Sequence, residues 1–106
     1  DLTEAILSEA NLIGSDLLGA NLKRADLSAS NLIGTNLRNA NLRGADLGGA
    51  KLTRTNLSEA NLMSANLSDA DLSEANLYEA EMNQAYLYKT NLQKSNLSET
   101  HLSGAY

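Results

Sequence analysis

The side chains that could carry out chemistry in this chain are few, and they do not combine into a reactive set. His101 is the single histidine and there is no cysteine, so neither a histidine cluster nor a thiolate metal site can form. The serines follow no arrangement specific to a catalytic triad, and no phosphate-cradling glycine loop is present. We therefore predict that the protein is not an enzyme and that it uses no cofactor and no metal ion.

The charged residues, which are candidates for binding, are unevenly distributed by sign along the chain. The early basic residues are Lys23, Arg24, Arg38, Arg43, Lys51 and Arg54, and no aromatic residue lies among them to stack a nucleic-acid base. Residues 55–85 contain six acidic residues and no basic one. The early basic residues form either a solvated surface or a site for phosphate or nucleic acid, and the net charge of −5 argues against nucleic-acid binding.

A repeat of five residues positions all of these side chains. Leucine, or methionine at Met82, occupies every fifth position from Leu2 to Leu102, 21 positions in all. The residue before it is mostly Asn or Asp, and the one before that is always Ala, Ser or Thr. Five residues rotate a helix by about 500°, so the leucines would spiral around it, and on a straight strand they would alternate between faces. The period therefore predicts a chain that turns a corner in every unit and keeps each leucine inside a coil.

Glycine marks the expected corner. Six of the seven glycines occupy the second residue after the leucine: Gly14, Gly19, Gly34, Gly44, Gly49 and Gly104. Glycine adopts backbone angles that other residues avoid, so this position is predicted to need such an angle.

The units resemble those of a known family. Ala25-Asp26-Leu27-Ser28-Ala29, Ala60-Asn61-Leu62-Met63-Ser64 and Ala70-Asp71-Leu72-Ser73-Glu74 are similar to the A(D/N)LXX unit of the pentapeptide-repeat proteins, in the leucine-centred form common in photosynthetic bacteria. The resemblance covers the entire chain. It implies an all-β fold, a right-handed quadrilateral parallel β-helix with four units, or 20 residues, per coil. Residues 1–106 would then form one pentapeptide-repeat β-helix domain of about five coils, roughly 25 Å long.

In such a coil, residues 20 apart lie one above another. Glu59, Glu79 and Glu99 then form a like-charge column. It is either an acidic stripe for a basic partner or a set of glutamates that splay apart into water. Three flexible glutamates without backbone carbonyls would hold a metal ion poorly. The same spacing predicts an asparagine column and several opposite-charge stacks: Asn36, Asn56, Asn76 and Asn96; Glu4 on Arg24, Lys51 on Asp71, Asp69 on Lys89, and Arg54 with Glu74 and Lys94.

The tyrosines form the second candidate surface. All four fall late in the sequence, at Tyr78, Tyr86, Tyr88 and Tyr106. Tyr86 and Tyr106 share one column and replace the usual Asn or Asp, and Tyr88 lies beside them. They form either an aromatic ladder that stabilises the last coil or a patch that binds a partner. We take the four tyrosines and the three glutamates as the candidate interaction residues.

These patterns predict a non-catalytic, elongated and rigid scaffold that binds an unidentified protein partner. The sequence also predicts end-to-end self-association through the C-terminal coil, where three of the tyrosines lie. The alternative is a DNA-mimicking gyrase inhibitor of the quinolone-resistance type, a function that the family resemblance implies. Duplex DNA carries one charge per about 1.7 Å, so a mimic about 25 Å long should approach −15. There is no long apolar segment that would span a membrane and no visible signal peptide. The sequence does not assign a compartment, and the cytoplasm is taken only as the default.

Overall fold

Every five-residue unit turns at the second residue after its leucine. In the computed structural model, which describes residues 1–106, all 21 of these residues have φ between +52° and +68°. The leucine carbonyl accepts a hydrogen bond from the backbone N–H three residues later, as from Ser30 to Leu27 at 3.1 Å. This hydrogen bond, with φ positive at the third residue only, defines a type II β-turn. The predicted corner is therefore confirmed at each unit, and glycine occupies six of the 21 corners.

The coils stack at a spacing of 20 residues. The chain contains no helix and no continuous strand; it is held by isolated parallel bridges, each formed by the residue before the central leucine, from Ile6↔Asp26 to Glu81↔His101. Around each bridge the leucine N–H and the corner N–H donate to the next coil, as from Leu42 to Asn61 at 2.7 Å and from Gly44 to Met63 at 2.9 Å. Four turns thus close each 20-residue coil, and the predicted coil repeat is confirmed.

The interior is a column of leucines lined by small residues. The central residue is 0% exposed in every unit from Leu22 to Met82. The small residue that lies two places before each centre is also buried in the units from Ala25 to Ala85, and the hydroxyl of Thr55 donates to the carbonyl of Leu32 at 2.8 Å. No buried side-chain nitrogen or oxygen lacks a hydrogen-bond partner. A narrow interior therefore accepts Ser and Thr in place of Ala, because their hydroxyls bind backbone carbonyls.

The four sides are numbered 1 to 4 in chain order, from the units centred on Leu22, Leu27, Leu32 and Leu37. The Cα extents of the molecule are 27 × 24 × 22 Å. The predicted length of about 25 Å agrees with the longest extent, but the expectation of an elongated shape is wrong. About five coils stacked at about 4.8 Å are only as tall as one 20-residue coil is wide.

The corner geometry predicts that the alanine at position 29 destabilises the folded protein relative to glycine. Ala29 occupies a corner with φ +52°, which a Cβ disfavours and glycine does not. We expect Ala29→Gly to raise the free energy of unfolding by about 0.5–1 kcal/mol, in spite of the greater freedom of glycine in the unfolded chain. Urea denaturation measures this change.

The matched control is Ala60→Gly, at a buried position where φ is not positive. It should lower the free energy of unfolding by about 1 kcal/mol, because glycine there loses more entropy on folding. Loss of stability in both variants would show that the corner at residue 29 carries no strain.

Candidate protein-interaction surface

The residue before the leucine is Asn or Asp because its side chain caps the turn that follows. In all sixteen such units, the side-chain Oδ1 accepts the backbone N–H of the residue two places later. The distances run from 2.9 Å, from Gly48 to Asp46, to 3.4 Å, from Lys23 to Asn21. This Asx contact satisfies an N–H that no neighbouring coil reaches.

Stacked amides add a second contact in the same columns. Asn76 Nδ2 donates to Asn56 Oδ1 at 3.4 Å, and Asn96 Nδ2 donates to Asn76 Oδ1 at 3.1 Å. Asn36 Nδ2 donates to Asp16 Oδ1 at 2.9 Å. The predicted asparagine column is therefore hydrogen-bonded from Asn56 to Asn96, while the Asn36 side chain bonds to Asp16 and not to Asn56, and these contacts between coils account for the residues.

Six positions depart from the Asn or Asp rule: Ile6, Lys51, Glu81, Tyr86, His101 and Tyr106. Four of them cluster in the last two coils, on two adjacent sides of the molecule. On side 1, Glu81 and His101 form a backbone bridge. On side 2, Tyr86 lies below Tyr106. Glu81, Tyr86 and His101 make no Asx contact to the turn that follows them, so the cluster is the part of the surface where the sequence departs most from the pattern that stabilises the fold.

The two tyrosines on side 2 are in direct contact. Their ring centroids are 5.2 Å apart and the ring planes are inclined by 11°, which is a stacked arrangement. Tyr86 is 50% exposed and Tyr106 is 75% exposed. Tyr88, 66% exposed, lies two residues along the same side, and Lys89 Nζ is 5.1 Å from its ring centroid. We call Tyr86, Tyr88 and Tyr106 the tyrosine face.

Tyr78 does not belong to the tyrosine face. It lies ten residues before Tyr88, which is half of a 20-residue coil, so the two project from opposite corners. Its neighbours are the glutamates of the like-charge column. The pKa of the Tyr78 phenol is raised, first by hydrogen bonding to Glu79 and by the charge of Glu79, and further by Glu99 and Glu59. The candidate interaction residues therefore divide into two separate surfaces.

The glutamate column is partly neutralised by a contact that residue spacing did not reveal. Glu59 Oε1 lies 2.7 Å from Arg38 Nη2 and 3.1 Å from Arg38 Nε. The two residues are 21 apart, so the pair is diagonal. Both side chains are partly exposed, at 52% and 35%, so the pair contributes under about 1 kcal/mol. The glutamate column therefore carries less uncompensated negative charge than the sequence indicates.

Of the predicted opposite-charge stacks, only one forms an ion pair. Arg24 Nη1 lies 3.6 Å from Glu4 Oε1, and the other stacks have no nitrogen–oxygen contact within 4.0 Å. Asp71, expected to pair with Lys51, instead accepts hydrogen bonds from Ser73, Asn91 and Thr53. The predicted stacking of Lys51 on Asp71 is confirmed by their backbone bridge, but the side chains in the stacks of Lys51, Asp69 and Arg54 form no ion pair. Exposed ammonium and guanidinium groups gain little from such contacts and keep their rotamer freedom in water.

No group of three or more His, Cys, Asp or Glu side chains is arranged to hold a metal ion. The structure contains no helix long and apolar enough to cross a bilayer.

The repeat, its Asx contacts and its coil register define a protein class, and comparison with known families identifies it. The chain matches the family described as pentapeptide repeats in eight copies, and the matches cover residues 5–44, 30–69, 40–77 and 65–104. The chain belongs to the pentapeptide-repeat family. Members of known structure form a right-handed quadrilateral β-helix, and no catalytic family is indicated. A search of curated proteins gave no match.

Solved structures of the same family resemble this one. A pentapeptide repeat protein from Nostoc is 39% identical, with a TM-score of 0.63, over 77% of this chain and 64% of that one. One from the thylakoid lumen of Arabidopsis thaliana is 33% identical, with a TM-score of 0.48, over 84% and 66%. QnrB1, a plasmid-mediated fluoroquinolone resistance protein, is 18% identical, with a TM-score of 0.45, over 95% and 59%. The chain spans less than two thirds of the length of each of these proteins.

The Asx contacts predict a specific dependence on acid. Asp26 Oδ1 accepts the Ser28 hydroxyl at 2.6 Å and the Ser28 N–H at 3.0 Å. The pKa of Asp26 is lowered from its ordinary value of 3.8, first by the side-chain hydrogen bond from Ser28 and then by the backbone one. A lowered pKa in the folded state means that the stabilisation is present above pH 3.8 and is lost as the pH falls through the folded pKa.

We expect Asp26→Asn to reduce the loss of unfolding free energy between about pH 5 and pH 2, because a neutral Oδ1 accepts the same bonds without titrating. Urea denaturation across that range measures it. Asp69 accepts no side-chain hydrogen bond, so Asp69→Asn is the matched control and should retain the acid dependence of the parent. Parallel acid dependence in the parent and Asp26→Asn would contradict the role of the ionised cap.

Proposed function

We propose that the protein is a non-catalytic, rigid scaffold, a right-handed quadrilateral β-helix as in its family, whose tyrosine face binds a protein partner. One observation supports this most strongly. Tyr86 replaces the Asx residue that caps the turn after it, and its ring stacks on that of Tyr106, with both side chains at least half exposed. The local structure favours Asn at position 86, so a second use for the aromatic side chain is the simplest account of it.

The stability lost with the Asx hydrogen bond and the stability gained from the ring stack are comparable in size. Losing an Asx hydrogen bond costs about 0.5–1.5 kcal/mol, and a stacked aromatic pair contributes about the same amount. The ring stack therefore offsets the missing bond, but it gives no reason for Tyr88, which stacks on neither ring and is 66% exposed. Tyrosine supplies large contact area with few side-chain torsions to fix, which is why it is common at binding surfaces.

The surface is suited to a partner with a polar or anionic rim. Lys89 lies over the Tyr88 ring and has no carboxylate within 4.0 Å. His101 lies on the adjacent side, bridged to Glu81. An aromatic centre with a charged rim is the usual composition of a protein interface. In line with the sequence, we include a second copy of this chain, docked through the C-terminal coil, among the partners to be tested.

Imitation of DNA is the weaker candidate. A duplex about 27 Å long would carry about −16, whereas this molecule has a longest extent of 27 Å and a net charge of −5. Its early coils also carry basic residues, which a DNA mimic would lack. The similarity to QnrB1 is at the level of the fold and supports no shared activity.

Site-specific photo-crosslinking tests the proposal. A benzoylphenylalanine at position 88 should give a discrete adduct in cells of the source organism, and one at position 78, on the opposite corner, should not. The double substitution Tyr86→Ser/Tyr106→Ser should reduce the adduct from position 88 at least about fivefold, since interface aromatics dominate binding energy. Equal crosslinking from both positions, or none from position 88, would contradict the assignment.

Sedimentation of the purified protein then determines the kind of partner. If the parent chain forms a dimer at micromolar concentration and Tyr86→Ser/Tyr106→Ser does not, the partner is a second copy. If both remain monomers while the crosslink in cells persists, self-association through this coil is rejected and the partner is another protein.

A further inference from the structure

Away from the tyrosine face, the corner between sides 1 and 2 contains a polar depression of about 320 Å³. Its lining is unusual in its charge, since three of five residues are cationic and none is hydrophobic. The residues are Lys23, Arg24, Arg43, Gly44 and Ser64. The depression is formed by three successive coils, so the coil register alone brings these residues together.

Backbone hydrogen bonds fix the position of each wall. The Arg24 N–H donates to the Arg43 carbonyl at 3.0 Å, and the Gly44 N–H donates to the Met63 carbonyl at 2.9 Å. Gly44 lies between Arg24 and Ser64 in the corner column, with φ +66°. Because Gly44 has no side chain, a gap remains where the neighbouring corners carry a guanidinium group and a hydroxyl. A Cβ placed there would lie 3.7 Å from Arg24 Cγ, at the wall of the gap.

The charges around the gap are mostly uncompensated. Arg24 has one carboxylate nearby, Glu4 at 3.6 Å, and both side chains are about two thirds exposed, at 69% and 66%. Lys23 and Arg43 have no carboxylate within 4.0 Å. They occupy the same column in adjacent coils, where like charges destabilise the sheet. Three cations around one gap produce a local positive potential in a molecule whose net charge is −5.

We propose that this depression binds a small phosphate-bearing anion. Guanidinium groups bind phosphate oxygens in a bidentate manner, and an ammonium group adds a mobile point charge. Arg24 and Arg43 would make the bidentate contacts and Lys23 would add charge. The Ser64 hydroxyl, which donates to Gln84 Oε1 at 3.4 Å in this structure, would turn to donate to the anion from the third coil. The volume is at the lower end of that of ligand pockets, which suits one or two phosphate groups. No aromatic side chain lines it, so a nucleobase would find no stacking partner and the phosphate is the group recognised.

Titration of the ¹⁵N-labelled protein with pyrophosphate tests the site. We expect saturable shifts of the amide resonances of Gly44 and Ser64, with smaller changes on side 3. Arg43→Gln should weaken binding about tenfold or more, because a charge-assisted contact to phosphate is lost. Arg54→Gln, which removes an equal charge outside the depression, should change the dissociation constant by less than about twofold. Equal effects of the two substitutions would overturn the site.

Two substitutions at Gly44 distinguish the effect of filling the gap from the effect of adding negative charge on pyrophosphate binding. Asn and Asp both tolerate a positive φ. Gly44→Asn should weaken pyrophosphate binding by partly filling the gap, and Gly44→Asp should abolish it. Gly49→Asn is the control at a corner where a Cβ meets nothing within 4 Å, and it should bind like the parent. Acetate binding as tight as pyrophosphate, or unchanged binding in Gly44→Asp, would show only a diffuse ion atmosphere and reject the proposal.

Discussion

The whole structure depends on one backbone constraint, a positive φ at the fifth residue of each A(D/N)LXX unit, the second residue after the leucine. Fifteen of the 21 corners adopt it without glycine, at a cost that L-residues normally avoid. The corner is tolerated because each turn is closed by a leucine carbonyl and each coil is bonded to the next. It also reverses the direction of the leucine, so every fifth side chain enters the same interior. If the corner were extended, the leucines would alternate between inside and outside, and no core would form.

The corner and the Asx contact together divide the unit into fixed and free positions. The leucine and the small residue are fixed by the interior, and the Asn or Asp is fixed by the N–H that it accepts. The two turn residues face outward, and they carry most of the variation in charge and size. Function is therefore expected in the turn columns, as at Arg43 and Gly44, or where a fixed position is abandoned, as at Tyr86 and Tyr106.

The sequence predicted most of the fold and only part of the surface. The period alone predicts a coil with inward leucines, and the family resemblance adds the length of 20 residues per coil. Columns follow from that spacing, which is why the stacking of Tyr86 on Tyr106 and the asparagine ladder were predictable. Pairing between exposed charges was not, because long side chains choose among neighbours of nearly equal energy. Arg38 thus contacts Glu59 diagonally, and Lys51 leaves Asp71 to the hydroxyl and amide groups around it.

The gap at Gly44 shows a second reason why parts of the surface could not be predicted from the sequence. Its lining comes from three coils, and its volume is set by one missing side chain among larger neighbours, so no single unit of the sequence reveals it. Residues of the tyrosine face were more visible, since Tyr at the Asx position is a departure within one unit. The same kind of departure occurs at Glu81 and His101, on the adjacent side 1.

The coil register carries every assignment of surface neighbours, and engineered disulfides test it most directly in a chain that has no cysteine. Asn56 and Asn76 form a parallel bridge, so their Cα atoms lie about 5 Å apart, within disulfide range. Asn56→Cys/Asn76→Cys should oxidise to an intramolecular disulfide. Asn56→Cys/Asp71→Cys, only 15 residues apart, should not, because position 71 lies on another side of the coil. Efficient crosslinking of the second pair and not the first would contradict the 20-residue register and the surfaces built on it.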